Sequence, residues 1–272
     1  MDRKEIKEFI ELVKVESTYK KFLKKDIIYQ LIENFDGIYD KQNYTKEIEN
    51  PLELVIMFYK NYNLDYYNKI EAGINSGLII INSYNKKSYT ETKDNKTYIK
   101  LYGNDSDVFL LVHELAHFID RNSTPLIVSN DYWFLAETFA FCMERKLEKW
   151  LDNEKYKSLI LAREYNRIYF ENKMLKAVEN ELYYEKIYQE NGIIKEKYID
   201  IQKIKSIKRQ DVSFNIVNYL LQYPVANILS NYLINNNLVH SDESFVETCL
   251  NIDLYDALNL YKLDFKVKKY NK

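Results

Sequence analysis

Glycine and proline are scarce in this chain, which has 5 Gly and 3 Pro among its 272 residues. Because these two residue types mark most places where a helix ends, their scarcity predicts long helices. Only two short runs, 78–82 and 97–102, have the composition of strands, and the polar segment 86–96 between them is expected to be a loop. The sequence therefore predicts a mainly α fold with a small β-sheet.

No low-complexity linker and no internal repeat divides the chain. We therefore expect one domain over 1–272, with a short helical N-terminal segment at 1–50, a core at 51–235 and C-terminal helices at 236–272. Within this frame, Asn50 and Pro51 should begin a helix. A later helix over 212–236 should be interrupted at Pro224.

The charge balance argues against two classes of partner. Lysine plus arginine number 39 and aspartate plus glutamate 41, so no positive field favours nucleic acid or an anionic membrane. The first residues, MDRKEIKEFIELVK, lack the apolar region of a secretory signal, and no apolar run approaches the 18 or so residues of a membrane span. Cys142 and Cys249 lie in apolar helical patterns, not in a disulfide framework. A cytoplasmic protein is expected, of undetermined oligomeric state.

The segment DVFLLVHELAHFID, residues 107–120, contains two of the three histidines of the chain. On a helix, His113 and His117 lie on one face with side chains about 5–6 Å apart, so both can bind one ion. His-Glu-x-x-His is the zincin arrangement, and roughly 0.003 occurrences are expected by chance at this composition. Glu114, about 100° around the helix, can act as general base. The pattern predicts one Zn²⁺ per chain.

A catalytic zinc has three protein ligands and one open position. No third histidine follows at short range, so a carboxylate must serve, and the candidates are Asp120, Asp131, Glu137 and Glu144. Glu137 is the better ligand, because it lies on the apolar face of a second helix, where an unpaired carboxylate is costly to bury. Asp120 and Glu144 suit hydrogen bonds to the ligating imidazoles. The alternative for either glutamate is an exposed charge on an amphipathic helix. The third histidine, His240, is expected at the surface.

Several ordered segments resemble the thimet oligopeptidase and oligoendopeptidase F family of zinc metallopeptidases. The similarity covers about 51–235 and is strongest at 98–144. It is carried by PLELVIMFYKNYN, KKSY, TYIKLYGNDSDVFLLVHELAHFID, NDYWFLAETFAFCME and FNIVNYLLQYPVANIL. The resemblance implies a zincin-like helical catalytic domain with a small sheet beside the active-site helix. It implies a zinc-dependent endopeptidase acting on oligopeptides or unfolded peptides.

The resemblance also assigns residues. His113, His117 and Glu137 carry over as zinc ligands and Glu114 as the base. Two tyrosines fall on family tyrosines that donate hydrogen bonds to the tetrahedral intermediate, namely Tyr219 and Tyr223. The strand at 97–102 is expected to be a sheet edge that pairs with an extended peptide. Its substrate contacts would be made by Tyr98, Lys100, Tyr102 and Gly103.

The chain also departs from the family. It resembles a shortened member, Ala116 stands where the family has a glycine, and DVSFNIVNY lacks the histidine that the family has ahead of its late tyrosines. Two alternatives therefore stay open. One is a regulatory zinc protease that cleaves a single repressor-like protein, although that type places its third carboxylate where this chain has Trp133. The other is a catalytically impaired relative that binds peptides.

Overall fold

The computed structural model describes residues 25–34, 41–81, 88–91, 96–121, 134–191, 216–237 and 243–261. Within them, residues 254–261 form a last helical segment. The other helices are α1 (Lys25–Asn34), α2 (Pro51–Tyr62), α3 (Leu64–Asn75), α4 (Ser106–Arg121), α5 (Phe134–Trp150), α6 (Lys157–Asn191), α7 (Ile216–Asn235) and α8 (Glu243–Asn251). The strands are β1 (Ile79–Ile81), β2 (Tyr89–Glu91) and β3 (Lys96–Ile99). The predicted mainly α fold with a small sheet is confirmed.

The contacts between Cα atoms group the chain into two compact units. One consists of Met1–Tyr39 and Ile168–Val225, and the other of Asp40–Arg167 and Ala226–Lys272. In the first unit, buried apolar side chains come from α1, α6 and α7, among them Ile28, Leu31, Leu175, Val178 and Leu221. The second unit contains the sheet and the helix with the paired histidines. The prediction of one domain over 1–272 stays a prediction.

Helix α4 lies in the core of the second unit. Its apolar positions are almost fully buried, among them Phe109, Leu111, Val112, Leu115 and Ala116. It packs along α5 more extensively than along any other described element. In addition, the hydroxyl of Tyr59 on α2 donates a buried hydrogen bond of 2.9 Å to the carbonyl of Val112. The position of α4 is thus fixed from two sides, immediately beside its first histidine.

Side-chain caps set the beginnings of the helices around α4. Asn50 accepts a hydrogen bond from the backbone N–H of Glu53, and Pro51 occupies the first turn of α2, both as predicted. Asn63 ends α2 and caps α3 in the same way. These caps satisfy backbone N–H groups that have no partner inside the helix.

Asp105, just before α4, is buried and connects the segment 45–48 to the start of that helix. Its carboxylate accepts hydrogen bonds from the hydroxyl of Thr45 at 2.6 Å and from the N–H groups of Glu47 and Ile48 at 3.0 and 2.9 Å. Burial alone would raise the pKa of Asp105, but these hydrogen bonds outweigh it and lower the pKa below its ordinary value. The carboxylate therefore stabilises the fold in its charged form.

The sheet has the order β1-β3-β2, so β3 is its central strand. Strand β1 pairs with β3 in parallel, and β2 pairs with it in antiparallel orientation. The prediction that the strand at 97–102 is an edge is therefore wrong, because β3 has a neighbour on both sides. The predicted loop at 86–96 is wrong over Tyr89–Glu91, which form β2. These polar residues form a strand because β3 offers them a hydrogen-bonding partner.

Helix α7 continues from Ile216 to Asn235 with Pro224 inside it, so the predicted interruption is wrong. Proline removes one backbone hydrogen bond from a helix, but the flanking Leu221 and Val225 are buried, and their packing maintains the helix. Helix α6 ends at Asn191. None of the helices in the described ranges combines the length and the apolar character needed to cross a membrane.

Candidate metal centre

Three side chains from α4 and α5 converge on one point. Nε2 of His117 lies 3.1 Å from Nε2 of His113, whose distance to Oε2 of Glu137 is 3.3 Å. Oε1 of Glu137 lies 3.7 Å from Nε2 of His117. Ligand atoms about 2.0–2.1 Å from a tetrahedral zinc are about 3.3–3.4 Å from each other, so the observed separations fit such a site. His113, His117 and Glu137 can therefore hold a metal ion.

The chemistry of the three groups also fits a cation. Nδ1 of His113 lies 2.8 Å from Oε1 of Glu144, so the ring donates its Nδ1 proton to that carboxylate and Nε2 of the neutral ring presents a lone pair. Oε2 of Glu137 is buried and accepts no hydrogen bond of normal geometry from the described residues. When His113 is neutral, two ring nitrogens and a carboxylate oxygen face one point and can bind a cation.

The two histidines differ in their pKa. Burial would lower the pKa of His113, but the nearby carboxylates of Glu137 and Glu144 raise it to about 10. Burial lowers the pKa of His117 to about 4, because the attraction of Glu137 does not compensate for lost hydration and the positive charge of His113 repels a second proton. At neutral pH the metal-free centre thus holds one proton, on His113.

Glu114 follows His113 on α4 and is partly buried. Burial raises the pKa of Glu114 to about 7, with the positive charge of His113 opposing the shift and Glu137 adding to it. A carboxyl group that titrates near neutral pH can both take up and return a proton under working conditions. The position and the pKa of Glu114 therefore suit a general base.

Glu144 lies on α5, two turns beyond Glu137, and its side chain is completely buried. Besides the contact with His113, its other oxygen accepts hydrogen bonds from Arg163 and Arg167 of α6. Burial would raise the pKa of Glu144, but Arg163 and the hydrogen bond from His113 hold it far below the ordinary value. The structure thus brings Glu144 to the histidine, where the sequence placed it.

The sequence did not point to either arginine. Arg163 and Arg167 are four residues apart, so they lie on one face of α6. This spacing shows only that the two side chains share a face, and it does not indicate whether that face is buried. It also does not identify which of the 41 acidic residues is their partner.

The structure describes the remaining predicted site residues only in part. Asp120 is buried on α4, and its predicted contact with a histidine stays a prediction. Tyr223 is half-buried on α7. Tyr219 and Tyr223 belong to the unit of Met1–Tyr39 and Ile168–Val225, and the metal ligands belong to the other. Their hydrogen bonds to a reacting group stay a prediction. Asp131 and His240 lie outside the described residues.

The predicted pairing of an extended peptide with β3 is wrong, and other contacts of Tyr98, Lys100, Tyr102 and Gly103 with a substrate stay a prediction. Tyr98 is paired with Ile80 on one side and with Tyr89 on the other. Beyond the strand, the N–H of Lys100 donates to Ser88, and those of Tyr102 and Gly103 donate to the carboxylate of Asp107. The donors of Tyr102 and Gly103 stabilise the entry into α4, and none of the three donors is available to an extended peptide.

Comparison of the chain with models of known protein families, with curated proteins and with solved structures finds no match. The resemblance to the oligopeptidases thus rests on the quoted segments alone. The function of the chain is therefore inferred from the geometry of the three converging side chains.

Proposed function

We propose that the chain is a zinc-dependent endopeptidase that hydrolyses peptide bonds in oligopeptides or unfolded segments. The observation that carries the proposal is the convergence of His113, His117 and Glu137, with Glu114 adjacent on the same helix. Two imidazoles and a carboxylate are the ligand set of catalytic zinc sites, which keep a fourth position open. Structural zinc sites instead have four protein ligands, and among the described residues only these three form such a group.

The bound ion would supply a Lewis acid that polarises the scissile carbonyl and lowers the pKa of the attacking water. Glu114 accepts the proton that this water loses as its oxygen bonds to the carbonyl carbon. Glu114 then returns the proton to the departing nitrogen when the C–N bond breaks, so that a carboxylate and an amine leave. A carboxyl group with a pKa of about 7 suits both transfers. By the family resemblance, Tyr219 and Tyr223 would donate hydrogen bonds to the developing oxyanion.

The test distinguishes the loss of the general base from the loss of zinc binding. Glu114→Gln keeps the shape of the side chain and removes its ability to accept the proton, so the variant should bind zinc like the wild type. Its cleavage of a quenched fluorescent peptide should fall by about 10²–10⁴-fold. Glu71→Gln, which changes an exposed glutamate of α3, is the matched control and should keep full activity.

Two results would contradict the proposal. One is unchanged peptide turnover by Glu114→Gln. The other is a wild-type protein that binds zinc and leaves a mixed peptide pool intact. Cleavage of one protein target with no activity on the pool would instead favour the regulatory protease, and no cleavage of any kind would favour the peptide-binding relative.

A further inference from the structure

We propose that Arg163 and Arg167 are positioning residues of the metal centre. They hold the carboxylate of Glu144 behind His113 and so determine which ring nitrogen of this histidine faces the metal. The inference rests on the metal site of the proposed function, and it assigns a role in that site to a helix that contributes none of the three ligands.

The two oxygens of Glu144 have separate partners. Oε1 accepts the Nδ1 proton of His113 at 2.8 Å. Oε2 accepts from Nε and Nη2 of Arg163, the former at 2.8 Å, and from Nη2 of Arg167 at 3.3 Å. A carboxylate held by three donors on one oxygen cannot rotate without breaking several charge-assisted hydrogen bonds. The arginines thus fix the orientation of the oxygen that faces His113.

The two arginine charges are matched by two glutamates. Arg167 also forms an ion pair with Glu148, one turn beyond Glu144 on α5. Two arginines therefore meet two glutamates, and the exposed fractions of Arg167 and Glu144 are 5% and 0%. Buried charges are tolerated only when they are paired and hydrogen-bonded, and each of these four has such a partner. The ligand cluster therefore does not supply the countercharge for Arg163 or Arg167.

Two aromatic rings pack against the guanidinium groups of this network. The guanidinium of Arg163 lies over the ring of Phe109 at 5.6 Å, and that of Arg167 over the ring of Phe141 at 5.9 Å. Phe141 also contacts the imidazole of His113 edge-on, with ring centroids 5.6 Å apart. Buried apolar rings beside these groups lower the local polarity, and hydrogen bonds are stronger in such surroundings.

The hydrogen bond between His113 and Glu144 determines which nitrogen of His113 faces the metal. When Nδ1 carries the proton that is donated to Glu144, Nε2 must present its lone pair to the centre. A carboxylate behind a ligating histidine fixes the tautomer and the ring orientation, and the loss of such a partner typically costs about 10- to 100-fold in metal affinity. Arg163 and Arg167 exert this effect on His113 through Glu144.

Zinc affinity, measured by competition with a chromophoric chelator, tests the role without any peptidase assay. Arg163→Gln and Glu144→Gln should each weaken zinc binding by about 10- to 100-fold. Arg167→Gln should weaken it less than Arg163→Gln, because its single contact with Glu144 is longer. The matched control is Lys149→Gln, which removes a positive charge from an exposed position of α5 and should bind zinc like the wild type.

The double variant Arg163→Gln/Glu144→Gln decides whether the arginine acts through the glutamate. If it does, the double variant binds zinc about as weakly as Glu144→Gln alone. If Arg163 is merely structural, the two losses add, and the positioning role is overturned. Arg163→Lys, which keeps the charge but not the forked geometry, should give an intermediate loss and covers the case in which the glutamine variant does not fold.

Because the chain has three histidines, NMR of histidine labelled with ¹⁵N provides an independent readout. The zinc-loaded wild type should show a slowly exchanging Nδ1 proton on His113, and this signal should be lost in Arg163→Gln. Wild-type zinc affinity in Arg163→Gln, in a protein that cleaves peptides, would overturn the positioning role and leave the proposed function intact. The expected losses of affinity without any peptide cleavage would support the positioning role and contradict the proposed function.

Discussion

Zinc binding should release about one proton at pH 7.5, and that proton should come from His113. In the metal-free protein the pKa of His113 is about 10, so more than about nine-tenths of the molecules carry the proton at this pH. His117, with a pKa of about 4, is neutral and has none to release. Two ordinary histidines with a pKa near 6.5 would together release only about 0.2 protons.

Isothermal titration calorimetry of zinc binding in two buffers with different ionisation enthalpies measures this number directly. The observed enthalpy should change with the buffer enthalpy with a slope corresponding to about one proton. The apparent zinc affinity should also rise about tenfold per pH unit between pH 7 and 9, because His113 loses its proton only as the pH approaches 10. Glu144→Gln removes one of the carboxylates that charge His113, so this variant should release fewer protons.

A release of about 0.2 protons or fewer, together with a zinc affinity that is independent of pH in this range, would refute the reasoning. It would mean that Glu137 and Glu144 do not keep His113 charged in the metal-free protein. Both histidines would then be neutral beside the two carboxylates.

Two further predictions concern the elements that hold α4 in place. In Gly73→Ala, the new Cβ would lie 2.5 Å from Cζ of Phe118 and 2.8 Å from Cδ1 of Ile79, so the variant should lose about 1–3 kcal/mol in urea unfolding. Gly77→Ala, where nothing lies within 4 Å of the new Cβ but φ is +71°, controls for backbone strain, and an equal loss in both would contradict the packing explanation. Asp105→Asn should lose about 2 kcal/mol at pH 7, since it weakens charge-assisted hydrogen bonds to the segment 45–48. Because the pKa of Asp105 is lowered, its stabilisation is lost as the pH falls, and the difference between wild type and variant should shrink at pH 3.

Local spacing was sufficient to predict the convergence of the ligands. The four-residue interval between His113 and His117 places both rings on one face of α4 wherever that helix lies. Glu137 could be identified because its neighbours Leu135, Ala136 and Phe139 are apolar, so its carboxylate had to face the interior. Asn50 and Pro51 likewise act within one turn of their own helix. In each case the residues that determine the local structure lie close in sequence to the structure that they determine.

The errors arose where partners are distant in sequence. Strand β2 is polar and reads as a loop, but it pairs with β3 along Tyr89–Glu91, and this pairing outweighs its composition. That pairing also makes β3 central, which no local pattern of 97–102 reveals. Arg163 meets Glu144 across an interval of 19 residues, and its role depends on how α6 packs against α5. Such contacts follow from tertiary structure, and periodicity does not encode them.

The metal centre is better matched to one divalent cation than to protons. A proton on Nε2 of His113 can interact with the carboxylate of Glu137, which lies 3.3 Å away. Nε2 of His117 then still faces the nitrogen of His113 at 3.1 Å. Adding a second proton to His117 is opposed by burial and by the charge on His113, which together lower its pKa to about 4. A single cation in place of the proton could contact all three groups at once. Because His117 stays neutral, its lone pair is available to such a cation.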